Sequence, residues 1–493
     1  MEALRQNNGF VWGFLLTNQE VNIYKAINSR LSCVLLPKES VVIKRMPLLL
    51  VCLLLLPFTF HNAMAVETRG EQQEQKPSTL QIPIGQTEES IITGQGQTGT
   101  EVFGLTGGNI HPFLLFSEQW TDNLYYTDSN KVEDFVTSIS PGIWFALPAN
   151  REKLLDIGTT TTAPGGLEIS RATPESIRKF QGYLYYAPEF VFYSENPQHD
   201  TDNHKAEGLL QYNFNMGLTV NLVDQFNINN EPNNNGIVDR IDKYADNLLD
   251  FILVYETPER FKFRIDFSNY DLNYDDQVND YRNRNDNSYD FYIFYKVRPK
   301  TSMFVEYEFA DIRYDEFPDS DSTENRYYAG LQYNVTEKTN GSIKFGYAEK
   351  DFKIGSSFDE SNFSSEIQIQ HNFTPKRALK LTGVRRYNES TMIGSMSFLT
   401  TEVTAAWLQR LTERWSGTLR CSYSTDEYDG LFSFGGSTDN RSDTTFSVAT
   451  ATRYKLRDWL LFDLGYIFRT RNSNFKLFDY STNTIFFRFD LDI

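Results

Sequence analysis

From Ser288 to Asp311 the chain reads SYDFYIFYKVRPKTSMFVEYEFAD, and the alternation in this stretch restricts the possible folds more than any other feature. Tyr289, Phe291, Ile293, Tyr295 and Val297 alternate with Asp290, Tyr292, Phe294, Lys296 and Arg298. After Pro299-Lys300, Met303, Val305, Tyr307 and Phe309 alternate with Ser302, Phe304, Glu306 and Glu308. A period of two puts successive side chains on opposite faces of a strand. One face here is aromatic and aliphatic, the other charged, and the pattern recurs over nearly four hundred residues with few helical stretches between. Two architectures accommodate it: a soluble all-β protein with the apolar face inward, or a membrane barrel with that face toward lipid and a polar lumen.

The connections separate the two. The alternation predicts about eighteen strands from Ile110 onward, beginning with 110–123 and 134–147 and including 413–427 and 442–455 near the end. Short turns such as Thr257-Pro258-Glu259, Thr374-Pro375-Lys376 and Leu456-Arg457-Asp458 alternate with long polar loops such as NNEPNNNGIVDRIDKY, DDQVNDYRNRND and DGLFSFGGSTDNR. A sandwich has no reason to segregate connection lengths in this way. The reading is therefore all-β: a transmembrane antiparallel up-and-down β-barrel with long extracellular loops and short periplasmic turns. Composition agrees, since 28 Tyr and 39 Phe coexist with a mean hydropathy of −0.46. The exception is the short-turn position after the second strand, where 148–181 inserts a segment expected to project into the periplasm or the lumen, with a short helix at 174–180.

Ahead of the barrel, Lys44-Arg45, the apolar run PLLLVCLLLLPFTF and Ala63-Met64-Ala65 read as a secretory signal peptide over 46–65, cleaved before Val66. A spanning helix would need about 20 apolar residues. Residues 1–45 read as an upstream mis-start or an extension, and 66–108 as a disordered periplasmic lead-in. Cys33 and Cys52 precede Val66, so Cys421 has no intrachain disulfide partner in the mature chain. Without residues 1–65 the chain carries 41 basic and 62 acidic residues, a net of −21, which disfavours nucleic acid as a partner.

Over Phe116 to Phe145, FSEQWTDNLYYTDSNKVEDFVTSISPGIWF, the chain resembles the first hairpin of the putative beta-barrel porin 2 family. The matching features are Thr121-Asp122-Asn123, Ser129-Asn130 with Asp134, and Ser140-Pro141-Gly142. The insertion at 148–181 and a final Ile493 depart from its pattern. The resemblance implies the outer membrane of a Gram-negative-type bacterium and a place in exopolysaccharide secretion, with polysaccharide export machinery as a partner. A general or solute-specific diffusion porin, and a structural protein with a blocked lumen, are the alternatives. The expected surroundings are outer-membrane lipid and lipopolysaccharide, and the oligomeric state is left open.

Alternation also assigns a lumen-facing set. Lys344, Lys380, Arg386, Arg410, Arg420, Arg453 and Arg469 form an expected basic arc; Asp250, Asp290, Glu306 and Glu308 form an acidic one. Such arcs could filter or orient solutes, or pair across neighbouring strands. Trp144, Trp407, Trp415 and Trp459 are expected in the interfacial aromatic girdles. Tyr292, Phe304 and Tyr328 fall on the lumen parity, where rings could instead stack on sugars. Asp276, Asp280, Asp286, Asp319, Asp321 and Asp439 are expected in loops, as solvated groups or as oxygen ligands for surface cations. His199 and His204 form the only close histidine pair of the mature chain, a weak metal signal. No nucleophile elbow or comparable catalytic arrangement is present, so no enzyme activity and no cofactor are expected.

Overall fold

The computed structural model describes residues 108–149, 155, 157–171, 179–232, 240–336, 338–355, 359–392, 395–434 and 436–492. The expected leader, the lead-in up to residue 107, most of the expected helix at 174–180, and Ile493 lie outside these residues; Phe180 itself opens a strand.

Eighteen strands follow one another: β1 (Ile110–Thr121), β2 (Asp134–Leu147), β3 (Phe180–Tyr193), β4 (Thr201–Asn213), β5 (Leu218–Pro232) and β6 (Ile241–Glu256). They continue with β7 (Phe261–Tyr274), β8 (Arg284–Arg298), β9 (Thr301–Tyr314), β10 (Ser322–Thr336), β11 (Thr339–Phe352) and β12 (Glu360–Thr374). The last six are β13 (Arg377–Glu389), β14 (Ser397–Arg410), β15 (Trp415–Phe434), β16 (Ser437–Arg457), β17 (Leu460–Ser473) and β18 (Tyr480–Asp492). Each pairs antiparallel with its neighbours in sequence. β1 also pairs with β18, from Phe113 opposite Asp492 to Thr121 opposite Thr484, so the sheet closes and has no free edge.

The closed sheet is apolar outside and charged inside. On β8 and β9 the outward Phe291, Ile293 and Val305 are 44%, 46% and 54% exposed, whereas the inward Asp286, Glu324 and Lys350 of the wall are fully buried. In water this arrangement would leave a large apolar surface uncovered; a lipid surround removes that cost. The outer face of β7 marks where lipid ends: Phe261, Phe263, Ile265 and Phe267 give way along one strand to Asn269, Asp271 and Asn273. The strands thus cross a membrane, the short turns at one water interface and the long loops at the other.

Two loop expectations change. The stretch DGLFSFGGSTDNR does not remain a loop, because β15 and β16 extend through it and pair Leu431 with Asn440 and Phe434 with Ser437. Phe432 packs against Phe475 and Phe478 in the connection between β17 and β18, which gives the extension an apolar contact to form on. Asp286 belongs not to a loop but to the inner face of β8, fully buried.

Candidate functional site

The lumen is occupied by part of the connection between β2 and β3. Ala163-Pro164-Gly165-Gly166 forms a turn closed by the Gly166 amide donating to the Ala163 carbonyl at 2.9 Å. Proline presets the second residue, and Gly165 takes φ +70°, the requirement of a type II turn at its third position. On either side the chain pairs with itself: Thr160 N donates to Gly166 O at 2.9 Å, Glu168 N donates to Gly158 O at 3.0 Å, and Thr159 bridges Leu167. Residues 157–171 are therefore a small β-hairpin. Gly166 faces the wall so closely that a Cβ there would lie 2.2 Å from the Tyr270 ring.

The hairpin is anchored along its length. At its tip the Glu389 amide donates to Thr162 O at 2.7 Å and Arg284 to Ala163 O at 2.8 Å, both from the long-loop ends of their strands. The Gly165 amide donates to Asp286 at 2.9 Å. Lower down, Arg386 donates to Leu167 O at 2.8 Å and to Glu168 O at 2.6 Å. Ser170 donates to Glu366 at 2.7 Å and receives from Lys344 at 2.7 Å; Arg264 donates to Arg171 O at 2.8 Å. The Arg171 guanidinium pairs with Asp250. Arg171 thus meets the acidic side of the wall and Glu168 lies beside Arg386 of the basic side, so the hairpin's own charges run across the lumen.

Several wall charges are compensated where they stand. Register places Lys344 opposite Glu366, and its amine also reaches Glu306 at 2.7 Å; Glu308 pairs with Arg326 at 2.6 Å. Arg453 grips Asp463 through two bonds of 2.7 Å, and Arg488 of β18 joins the same carboxylate. The expected basic arc is therefore not a free positive wall at Lys344 or Arg453, and Arg386 is engaged by the hairpin. Lys380 and Arg420 are buried on the inner faces of β13 and β15, Arg469 lies 5.9 Å from the Tyr126 ring, and Arg410 ends β14 at the short-turn side. In the acidic arc, Asp290 sits opposite Asp266 and Glu308, in the space that also holds Arg171. The inner faces of β14 and β15 leave Glu402 exposed and Ser416, Thr418 and Ser424 half-exposed.

Trp144 departs from its expectation as a girdle residue. It shares the inner parity of Asp134 and Ser140, is 2% exposed, and stacks on His111 at 3.7 Å. The reason is the hairpin: Leu155 and Ile157 join Phe113, Trp144, Tyr183 and Leu209 in an apolar cluster inside the barrel, so this part of the lumen is packed like a core. Trp407 packs on Phe373, Trp415 on Tyr454, and Trp459 is 52% exposed in the turn before β17. Tyr292 and Phe304 offer no open platform, being buried against Phe294 under Arg264 and Lys262; Tyr328 bonds Ser364 at 2.6 Å. His199 and His204 do not converge: His199 shares a 2.8 Å hydrogen bond with Tyr125, and His204 one of 3.0 Å with Tyr186. Several loop carboxylates serve the protein itself. Asp276 accepts from Val278 N, and Asp321 accepts from Tyr314 N at 2.9 Å.

The hairpin, with Arg171 and Glu168, is the candidate functional element that the alternation of the strands does not reveal. Its signal was nevertheless present, as Pro164-Gly165-Gly166 between TTTT and LEIS, a turn flanked by strand-forming residues.

A family model described as putative beta-barrel porin 2 matches residues 107–491. Comparison with curated proteins gives no match. Among solved structures, the chain is similar to OccK3 (OpdO) of Pseudomonas aeruginosa, with 10% identity and a TM-score of 0.39 over 82% of this chain and 99% of that one. It is similar to opdK of the same organism at 8% identity, TM-score 0.41, over 78% of this chain and 99% of that one. A BenF-like porin of Pseudomonas fluorescens Pf-5 matches at 6% identity, TM-score 0.41, over 78% and 99%.

Proposed function

Since the chain belongs to the putative beta-barrel porin 2 family, we propose that this outer-membrane barrel is a solute channel whose passage is narrowed by the 157–171 hairpin. The observation that carries the reading is the double anchoring of that hairpin, through Arg171 to Asp250 and through Arg386 to the Leu167 and Glu168 carbonyls. A barrel of this strand number is wide enough for an aqueous lumen. With the hairpin docked, the route this reading assigns runs along the inner faces of β14 and β15, where, among the described residues, Glu402 is exposed. Polysaccharide secretion, the finer reading that the family resemblance brings, would require a passage wide enough for a sugar chain, and no observation favours it over a solute porin.

The test is single-channel conductance in a planar bilayer, comparing the intact barrel with one in which 158–170 is replaced by a short Gly-Ser linker. The intact barrel should show a small or intermittent current and the replacement a large steady one. Equal currents would remove the hairpin from the mechanism, and silence in both would leave a structural barrel.

A further inference from the structure

Between the hairpin and the walls of β1 to β6 lies a cavity of about 300 Å³, near the long-loop end, within the size range of small-ligand sites. Its lining carries a group of carboxamides, among them Gln119, Asn203, Gln225, Asn227, Asn229 and Asn230. Thr121, Ser138 and Thr160 add hydroxyls, and Tyr126, Tyr193 and Tyr244 border it with rings.

The charged groups around it already have hydrogen-bond or ion-pair partners. Lys205 pairs with Glu207 at 3.0 Å, and Glu231 accepts from Arg282 at 2.6 Å and from Tyr274 at 2.8 Å. Asp246 accepts from Asn227 at 2.7 Å, and Glu189 from Asn203 at 3.3 Å. Amide oxygens are less committed: Gln225 Oε1 and Asn203 Oδ1 are buried and, among the described residues, have no hydrogen-bond partner. A buried polar atom without a partner is costly, and a small turn of either side-chain amide toward the cavity would let a ligand hydroxyl relieve that cost.

A carboxamide both donates and accepts, as does a hydroxyl, and a tyrosine ring accepts the C–H face of a sugar-like ring. We infer that this cavity is a binding site for a neutral, polyhydroxylated solute of carbohydrate type, entering from the long-loop side. The site discriminates against anions because its lining carboxylates Glu189 and Asp246 accept from neutral amides and outnumber the one lining cation, Lys205, so a buried anion would meet like charge. The inference deepens the channel reading and takes its physiological meaning from it, but binding can be measured whether or not the barrel conducts.

The experiment is calorimetric titration of the intact barrel in detergent micelles with maltotriose, cellotriose and mannotriose, against trigalacturonate as an anionic probe of similar size. At least one neutral trisaccharide should bind saturably, and trigalacturonate about tenfold more weakly or not at all. Gln225→Leu combined with Gln119→Leu should weaken the neutral sugar by at least about tenfold, each lost neutral hydrogen bond contributing a factor of about three to ten. Asn229→Ala, at a half-buried position, provides a second variant if the double one fails to fold; thermal unfolding reports which has kept the barrel. Failure of all three neutral sugars to bind, equal or tighter binding of trigalacturonate, or affinity indifferent to the folded variants would each overturn the inference. Loss of the channel reading shows separately, as absence of KCl current from the linker-replaced barrel.

Discussion

Arg386→Gln separates two roles for an inward-facing cation. As part of a charged filter, Arg386 would act on passing anions; as a clamp, it acts on the hairpin through its bonds of 2.8 and 2.6 Å to the Leu167 and Glu168 carbonyls. Hydrogen bonds from a charged donor contribute about 1.5–3 kcal/mol each. Both come from one guanidinium, and glutamine keeps a weaker donor, so the loss in docking energy is about 2–3 kcal/mol. At about 1.4 kcal/mol per factor of ten, the released fraction of the hairpin rises about 30- to 150-fold. Open probability in single-channel records reads this directly, and proteolytic cleavage within 158–170 should rise with it. The reasoning is refuted if open probability stays within about twofold of the parent while the anion-to-cation permeability ratio falls; Arg386 would then read the solute and not hold the hairpin.

Three further outcomes follow from particular contacts. Arg171→Gln leaves Asp250 buried without its partner and should also raise open probability, and its combination with Arg386→Gln should multiply the two effects on the docking equilibrium, because separate contacts to one docked element add in free energy; a double variant no more open than the stronger single one, while both remain mostly closed, would mean they do not hold the same element. Trp144→Ala should lower unfolding free energy by about 3–5 kcal/mol, and Trp459→Ala by less than about 1 kcal/mol, measured by denaturant unfolding in micelles, since one ring is packed inside and the other lies 52% exposed in a turn. Burial holds the His199 imidazole below its ordinary value, so on acidification the unfolded chain takes up the proton first and stability present above the unfolded value is lost as pH falls through the folded one. Proteolysis of the 194–200 loop should accordingly increase between about pH 7.5 and pH 5, where an imidazole titrates, and His199→Gln should flatten that dependence; an unaltered rise in the variant sinks the assignment.

Much of the wall was legible because a strand has only two faces. Alternation alone told outward Phe291 and Ile293 from inward Asp290 and Glu306. It went astray where residue type was weighed above parity: Trp144 shares the parity of Asp134 and Ser140, yet tryptophan suggested a lipid interface. The extension of β15 and β16 through a polar, glycine-containing stretch was equally hidden, since it depends on Phe432 finding Phe475 and Phe478 in another loop.

Period-two alternation and the segregation of turn lengths determined by themselves that this chain closes into an antiparallel barrel with lipid outside, because both are local properties of consecutive residues. What occupies the lumen was decided only by the tertiary structure. Whether Lys344 is a free charge or a partner of Glu306, and whether Arg386 meets solute or the Leu167 carbonyl, depends on strand register and on a hairpin more than two hundred residues away in sequence. Charges act through space at a few ångströms, and that proximity is a property of the closed barrel, which no window of sequence contains.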